Sequence, residues 1–96
     1  MNKILIIEDD LEINALLADF LKEKGYAVHC QYDGLHVLDF LNKEKIDLII
    51  LDIMLPYRSG DIILSDVRKK FTIPVIIISA KETTQNKITT PIRKHN

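Results

Sequence analysis

A chain of 96 residues is long enough for one domain and too short for two. Its 47% hydrophobic and 28% charged residues are those of a soluble globular protein. With 13 basic and 14 acidic residues, a formal net charge of -1, there is neither the basic excess that draws nucleic acid nor the acidic excess of a disordered segment.

The opening Met-Asn-Lys leads into the apolar run Ile4-Leu5-Ile6-Ile7, which three acids end at once: Glu8, Asp9 and Asp10. That is no signal peptide, and no apolar run in the chain approaches the roughly 18 residues of a membrane helix. The run reads as a buried strand. Ile13, Leu16, Leu17, Phe20 and Leu21 then recur at helical spacing and predict one inward stripe, with Asp10 as N-cap and Gly25 as the C-terminal stop. Residues 26–31 alternate loosely and predict a second strand. Cys30 within it has no partner for an internal disulfide and reads as a buried thiol, which fits a reducing compartment and a cytoplasmic protein. Asp33-Gly34 opens a second helix, expected to reach about Asn42 with Val37, Leu38 and Leu41 inward.

Leu48-Ile49-Ile50-Leu51 shows no polar alternation, the habit of a strand covered on both faces, and it ends at Asp52. After a loop containing Pro56 and Gly60, the residues Ile63, Leu64, Val67 and Phe71 mark a third helix that starts near Ser59. A turn over residues 72–74 leads to the strand Val75-Ile76-Ile77-Ile78, ended by Ser79-Ala80, and a partial helix over residues 82–88 is expected beyond it. From Thr89 the apolar period stops, and Pro91 opposes both a helix interior and a central strand. Residues 1–88 therefore read as one domain and residues 89–96 as an irregular tail. Strands alternating with helices at crossover length predict an α/β fold: a doubly wound parallel sheet covered on both faces.

In a parallel sheet the carboxyl ends of the strands share one edge, where ligands bind in open α/β folds. Glu8 and Asp9 follow the first strand, Asp52 the third and Ser79 the fourth, so these groups are expected to converge. Carboxylates that close repel one another, and a hard divalent cation such as Mg2+ relieves the conflict with one or two carboxylates, a carbonyl and water. An aspartate beside that cation can attack phosphorus, since carboxylates serve as covalent nucleophiles. Ser65 and Ser79 lack a neighbouring His-Asp pair, there is no Gly-rich phosphate loop, and His29, His36 and His95 show no metal-ligand spacing. An aspartyl-phosphate phosphatase would place a second aspartate two residues beyond the nucleophile, where Met54 stands.

Residues 4–10, residues 48–60 with their Leu-Asp-Ile-Met-Leu-Pro segment and Gly60, and residues 74–81 together resemble the receiver domain of two-component response regulators. The segment is most similar to the subfamily that carries a winged-helix DNA-binding domain. The resemblance implies a flavodoxin-like fold with strand order 2-1-3-4-5. It implies that Asp52 accepts a phosphoryl group from a sensor histidine kinase to control transcription, and that the chain is itself the phosphoacceptor rather than an enzyme. Mg2+ would be held by Asp9 directly, by Glu8 more through water, by Asp52 and by the backbone carbonyl of Met54. Ser79 would be the hydroxyl that swings to the phosphate, Ala80 the small neighbour that leaves it accessible, and Pro56 and Gly60 would shape the loop.

The resemblance also marks a departure. The expected order here is 2-1-3-4, with the fifth strand, its Lys-Pro pair and the last helix missing, and Thr90 stands where the lysine would be. Lys81 and Lys94 are poorly placed to replace it. Phosphorylation is then expected to be slow or undetectable, and the chain could instead be a fragment that is not switched and acts through self-association or kinase contact. The fourth strand would be an apolar edge, giving a homodimer or higher association through it, with no nucleic acid and no membrane bound by this stretch.

Overall fold

The computed structural model describes residues 2–56 and 58–79. The expectations for a helix over residues 82–88, an irregular tail, a missing fifth strand, Ala80, Lys81, Thr90, Lys94 and His95 lie outside the described residues. Within them the order is β1 (Lys3–Ile7), α1 (Leu11–Glu23), β2 (Ala27–Gln31), α2 (Val37–Lys43), β3 (Leu48–Asp52), α3 (Gly60–Lys70) and β4 (Val75–Ile78). The four strands form one parallel sheet in the order β2-β1-β3-β4, as expected.

Side chains alternate across a strand, so each apolar run feeds both faces of the sheet. Leu5, Ile7, Ile49 and Leu51 pack with Val37, Leu41, Ile63 and Val67 of α2 and α3. Ile4, Ile6 and Ile50 pack on the other face with Ala18, Leu17 and Leu21 of α1. β1 and β3 are the central strands, which explains why their sequences carry no polar alternation. Each fully buried Leu or Ile stabilises the fold by about 1.5–3 kcal/mol relative to exposure. The start of β1 is latched to the turn before β3: Lys3 N–H donates to Asp47 Oδ2 at 2.8 Å, Asp47 N–H donates to the Lys3 carbonyl at 2.8 Å, and Lys3 Nζ meets Glu44 Oε1 at 3.3 Å.

Three sequence expectations change in detail. The inward face of α1 is centred on Asn14, Leu17 and Ala18, while Leu16 and Phe20 point to solvent, 72% and 57% exposed. An apolar period gives the spacing of a stripe but not which flank touches the sheet; Phe20 instead lies beneath Lys24, with Nζ 5.2 Å from the ring centroid. α2 begins at Val37 rather than at Asp33, because Asp33 Oδ1 accepts the Leu35 N–H at 3.1 Å and closes a local turn first. Cys30 is partly rather than fully buried. Burial pushes its thiol up from the usual value, against the hydrogen bond with Tyr32 and the nearby Lys22.

α1 is closed at both ends as its sequence predicts. Asp10 Oδ1 accepts the N–H groups of Glu12 and Ile13 at 3.0 and 3.1 Å. At the other end Gly25 has φ +96°, its N–H donates to the Lys22 carbonyl, and the Tyr26 N–H donates to the Leu21 carbonyl, the paired bonds of a Schellman motif. A Cβ on Gly25 would touch nothing within 4 Å, so the penalty of Gly25→Ala is conformational alone. We expect a loss of about 1 kcal/mol, seen as a fall of roughly 4–8 °C in the midpoint of thermal unfolding followed by circular dichroism. An unchanged midpoint would contradict the motif.

Candidate functional site

The register of the sheet decides which side chains meet. Ile7 lies opposite Leu51, so the residues after β1 stand beside the end of β3. Asp52 lies opposite Ile78, and the Ile53 N–H donates to the Ile78 carbonyl at 3.1 Å, which brings Ser79 to the same edge. Glu8, Asp9 and Asp52 each place a carboxylate oxygen so that the three lie within 4.8 Å of one another. Glu8 and Asp52 are fully buried, and Asp9 is half-buried.

Local hydrogen bonds orient Glu8 and Asp52. The Asp10 N–H donates to Glu8 Oε2 at 2.9 Å, and the Met54 N–H donates to Asp52 Oδ1 at 3.0 Å. The Glu8 N–H donates to the Gln31 carbonyl at 3.0 Å, extending the β1–β2 ladder by one residue beyond the strand. The loop after Asp52 is tied down by the Gly60 N–H, which donates to the Ile53 carbonyl at 2.9 Å, by the buried side chain of Leu55, and by Arg58 Nη1 on Asp66 Oδ2 at 3.1 Å. The last pair is solvent-exposed and contributes at most about 1 kcal/mol.

Buried like charges this close are stable in a protein when a cation or a hydrogen-bonding frame joins them. The donors here are all oxygens, which suit a hard divalent cation rather than a soft one. The residues present therefore fit Mg2+. Of the predicted site residues, the structure unites Glu8, Asp9 and Asp52, sets the Met54 backbone against Asp52, and places Ser79 on the same sheet edge. His29 lies against the ring of Phe40 at 5.2 Å between centroids, and His36 is exposed at the start of α2, so neither joins the site.

Sequence reading passed over Asn14. It is fully buried, and Nδ2 donates to the carbonyls of Glu8 at 3.0 Å and Gln31 at 3.3 Å. The available signal was a polar residue within the apolar period of α1, one position from Ile13.

A parallel sheet in the order 2-1-3-4, with a cluster of three acids at its carboxyl edge, defines a flavodoxin-like protein. The sequence matches the response regulator receiver domain family over residues 4–91, and the chain belongs to that family. It is similar to TrrA of Thermotoga maritima solved in complex with Mg(2+)-BeF, at 31% identity and a TM-score of 0.79, over 90% of this chain and 76% of that one. The receiver domain of Francisella response regulator 1452 shares 35% identity at a TM-score of 0.78, over 92% of this chain and 74% of that one. A structure of the histidine kinase ThkA in complex with TrrA matches with a TM-score of 0.81 at 29% identity, over 99% of this chain and 76% of the matched one.

Gly60 bears on the geometry of Asp52. A Cβ there would stand 2.5 Å from Ile53 Cα and 2.8 Å from the Asp52 carbonyl oxygen, both backbone atoms that cannot swing aside. Gly60→Ala should push the Asp52–Ile53 peptide outward and destabilise the fold by about 1–3 kcal/mol in urea unfolding. A variant as stable as wild type would mean that the loop gives way freely.

Proposed function

We propose that Asp52 is the phosphoacceptor of a two-component signalling receiver, with a sensor histidine kinase as donor and Mg2+ as cofactor. The observation that carries this reading is the meeting of Glu8, Asp9 and Asp52 oxygens within 4.8 Å at the carboxyl end of a central strand. Membership of the receiver family, and one relative, TrrA, solved both with Mg(2+)-BeF and with a histidine kinase, support the cation and the partner.

In this reading Asp9, Asp52 and the Met54 carbonyl would hold the ion, with Glu8 acting more through water. Mg2+, when bound, supplies positive charge to the phosphoryl oxygens. The Met54 N–H orients the Asp52 carboxylate. A carboxylate oxygen of Asp52 forms the new P–O bond while the P–N bond of the kinase phosphohistidine breaks, and the imidazole nitrogen leaves with the electron pair. Burial of Asp52 holds its carboxylate in one place at the end of β3. Ser79 then donates its hydroxyl to a phosphoryl oxygen. The protein is thus a substrate of the kinase and a switch, not an enzyme acting on a separate molecule. Its output is control of transcription, supported by the likeness of residues 51–56 to the winged-helix subfamily, and its place is the cytoplasm. Among the described residues no helix is long and apolar enough to cross a membrane.

Incubation with acetyl phosphate should add one phosphoryl group slowly, as read by intact mass, with Mg2+ required and the gain abolished by Asp52→Asn. A gain that survives Asp52→Asn would overturn the assignment.

A second reading rests on β4. Among the described residues β4 is a sheet edge, and Ile76 and Ile77 are exposed. An apolar edge without charged residues invites a further strand, most simply from a second copy of the chain about a twofold axis. In that reading the chain self-associates or docks on a kinase without being switched. Light scattering after size exclusion should give twice the monomer mass at high concentration, and Ile76→Lys should restore the monomer. A wild-type chain that stays monomeric throughout rules this reading out.

A further inference from the structure

We infer that Asn14 is a positioning residue for the acidic cluster: its one side-chain amide joins the carbonyls of Glu8 and Gln31 and so sets the direction of the Glu8–Asp9 peptide. The inference rests on the cation-binding reading above and names a residue that acts on the site without touching the ion.

The Glu8 carbonyl belongs to the peptide bond that links Glu8 to Asp9. Fixing that oxygen fixes the plane of the peptide and so the placement of the Cα atoms of both acids, which narrows the directions open to their side chains. Asn14 Nδ2 holds it at 3.0 Å in a fully buried contact. The same nitrogen reaches the Gln31 carbonyl at 3.3 Å, which also accepts the Glu8 N–H at 3.0 Å. One side chain of α1 therefore joins the ends of β1 and β2. The frame is closed by the Asn14 N–H on the Asp10 carbonyl at 2.9 Å and by the Asp10 N–H on Glu8 Oε2.

The amide cannot turn over without setting its oxygen against two carbonyl oxygens, so its orientation is determined. Asn14 Oδ1 is buried and accepts no hydrogen bond among the described residues, so the side chain is held by what its Nδ2 donates to the two carbonyls. Asn14 is also the polar member of an inward face otherwise built from Leu17, Ala18 and Leu21. A polar residue on that face that grips the peptide between two metal-site acids is placed for the site. Partners that orient ligands typically alter metal affinity by about 10–100-fold when removed.

The test is a Mg2+ titration followed by backbone amide NMR shifts, at a temperature where circular dichroism shows every variant folded. Asn14→Ala and the volume-conserving Asn14→Leu should each weaken Mg2+ about tenfold or more. Ala18→Gly, one turn further along the same helix, lowers the unfolding midpoint without contacting the frame and should bind Mg2+ as wild type does. Unchanged affinity in the folded Leu variant, or an equal loss in Ala18→Gly, would overturn the positioning role and leave Asn14 a packing residue. A wild-type chain that fails to bind Mg2+ would overturn the cation reading itself, and this inference with it.

Discussion

Holding the carboxylates of Glu8, Asp9 and Asp52 together at one sheet edge is the constraint that the rest of the structure serves. Three carboxylates with oxygens inside 4.8 Å would drift apart on a flexible chain. They are held because two of them are anchored to the ends of the two central strands, whose apolar side chains are packed from both sides. The sheet therefore supplies rigidity where the charges would otherwise relax, and the charge it holds in place is what a cation can use.

The turns at the carboxyl edge carry that rigidity outward. Glu8 and Asp52 each receive a backbone N–H from two residues further on, Asp10 in one case and Met54 in the other. The two strand ends thus use the same local device to aim a carboxylate. Around them the devices differ. The β3 loop is pressed down by the close approach of Gly60 to the Asp52–Ile53 peptide, which leaves no room for a side chain. The β1 turn is gripped by the amide of Asn14 and continues at once into the N-cap of α1. The helix is thereby coupled to the acids by sequence proximity as well as by packing.

The two outer strands contrast with this centre. β2 is half-buried along its whole length, and β4 leaves Ile76 and Ile77 exposed. An edge strand exposes unpaired backbone groups in addition to its side chains, so β4 is where the described part of the sheet is most open to another strand. Because the Ile53 N–H bonds to the Ile78 carbonyl, whatever packs on β4 also bears on the loop that follows Asp52.

Much of this was legible in the order of residues. Apolar runs of strand length, each ended by a polar group and separated by helical periods, determined a parallel α/β sheet. Once the strands are parallel, their ends must share an edge, so Glu8, Asp9, Asp52 and Ser79 could be placed together before any coordinates. Helix signals at Asp10 and Gly25 were equally direct, because capping is chemistry between near neighbours. What the tertiary structure alone decided is orientation and contact at long range. The rotation of α1 that exposes Leu16 and Phe20 depends on the shape of the sheet it meets, which no helical period encodes. The grip of Asn14 on Gln31 spans two elements distant in sequence, and the contact of Gly60 with Asp52 depends on how a loop folds back on its own strand. Local bonds follow from local sequence; the direction of a side chain across an interface follows from everything packed against it.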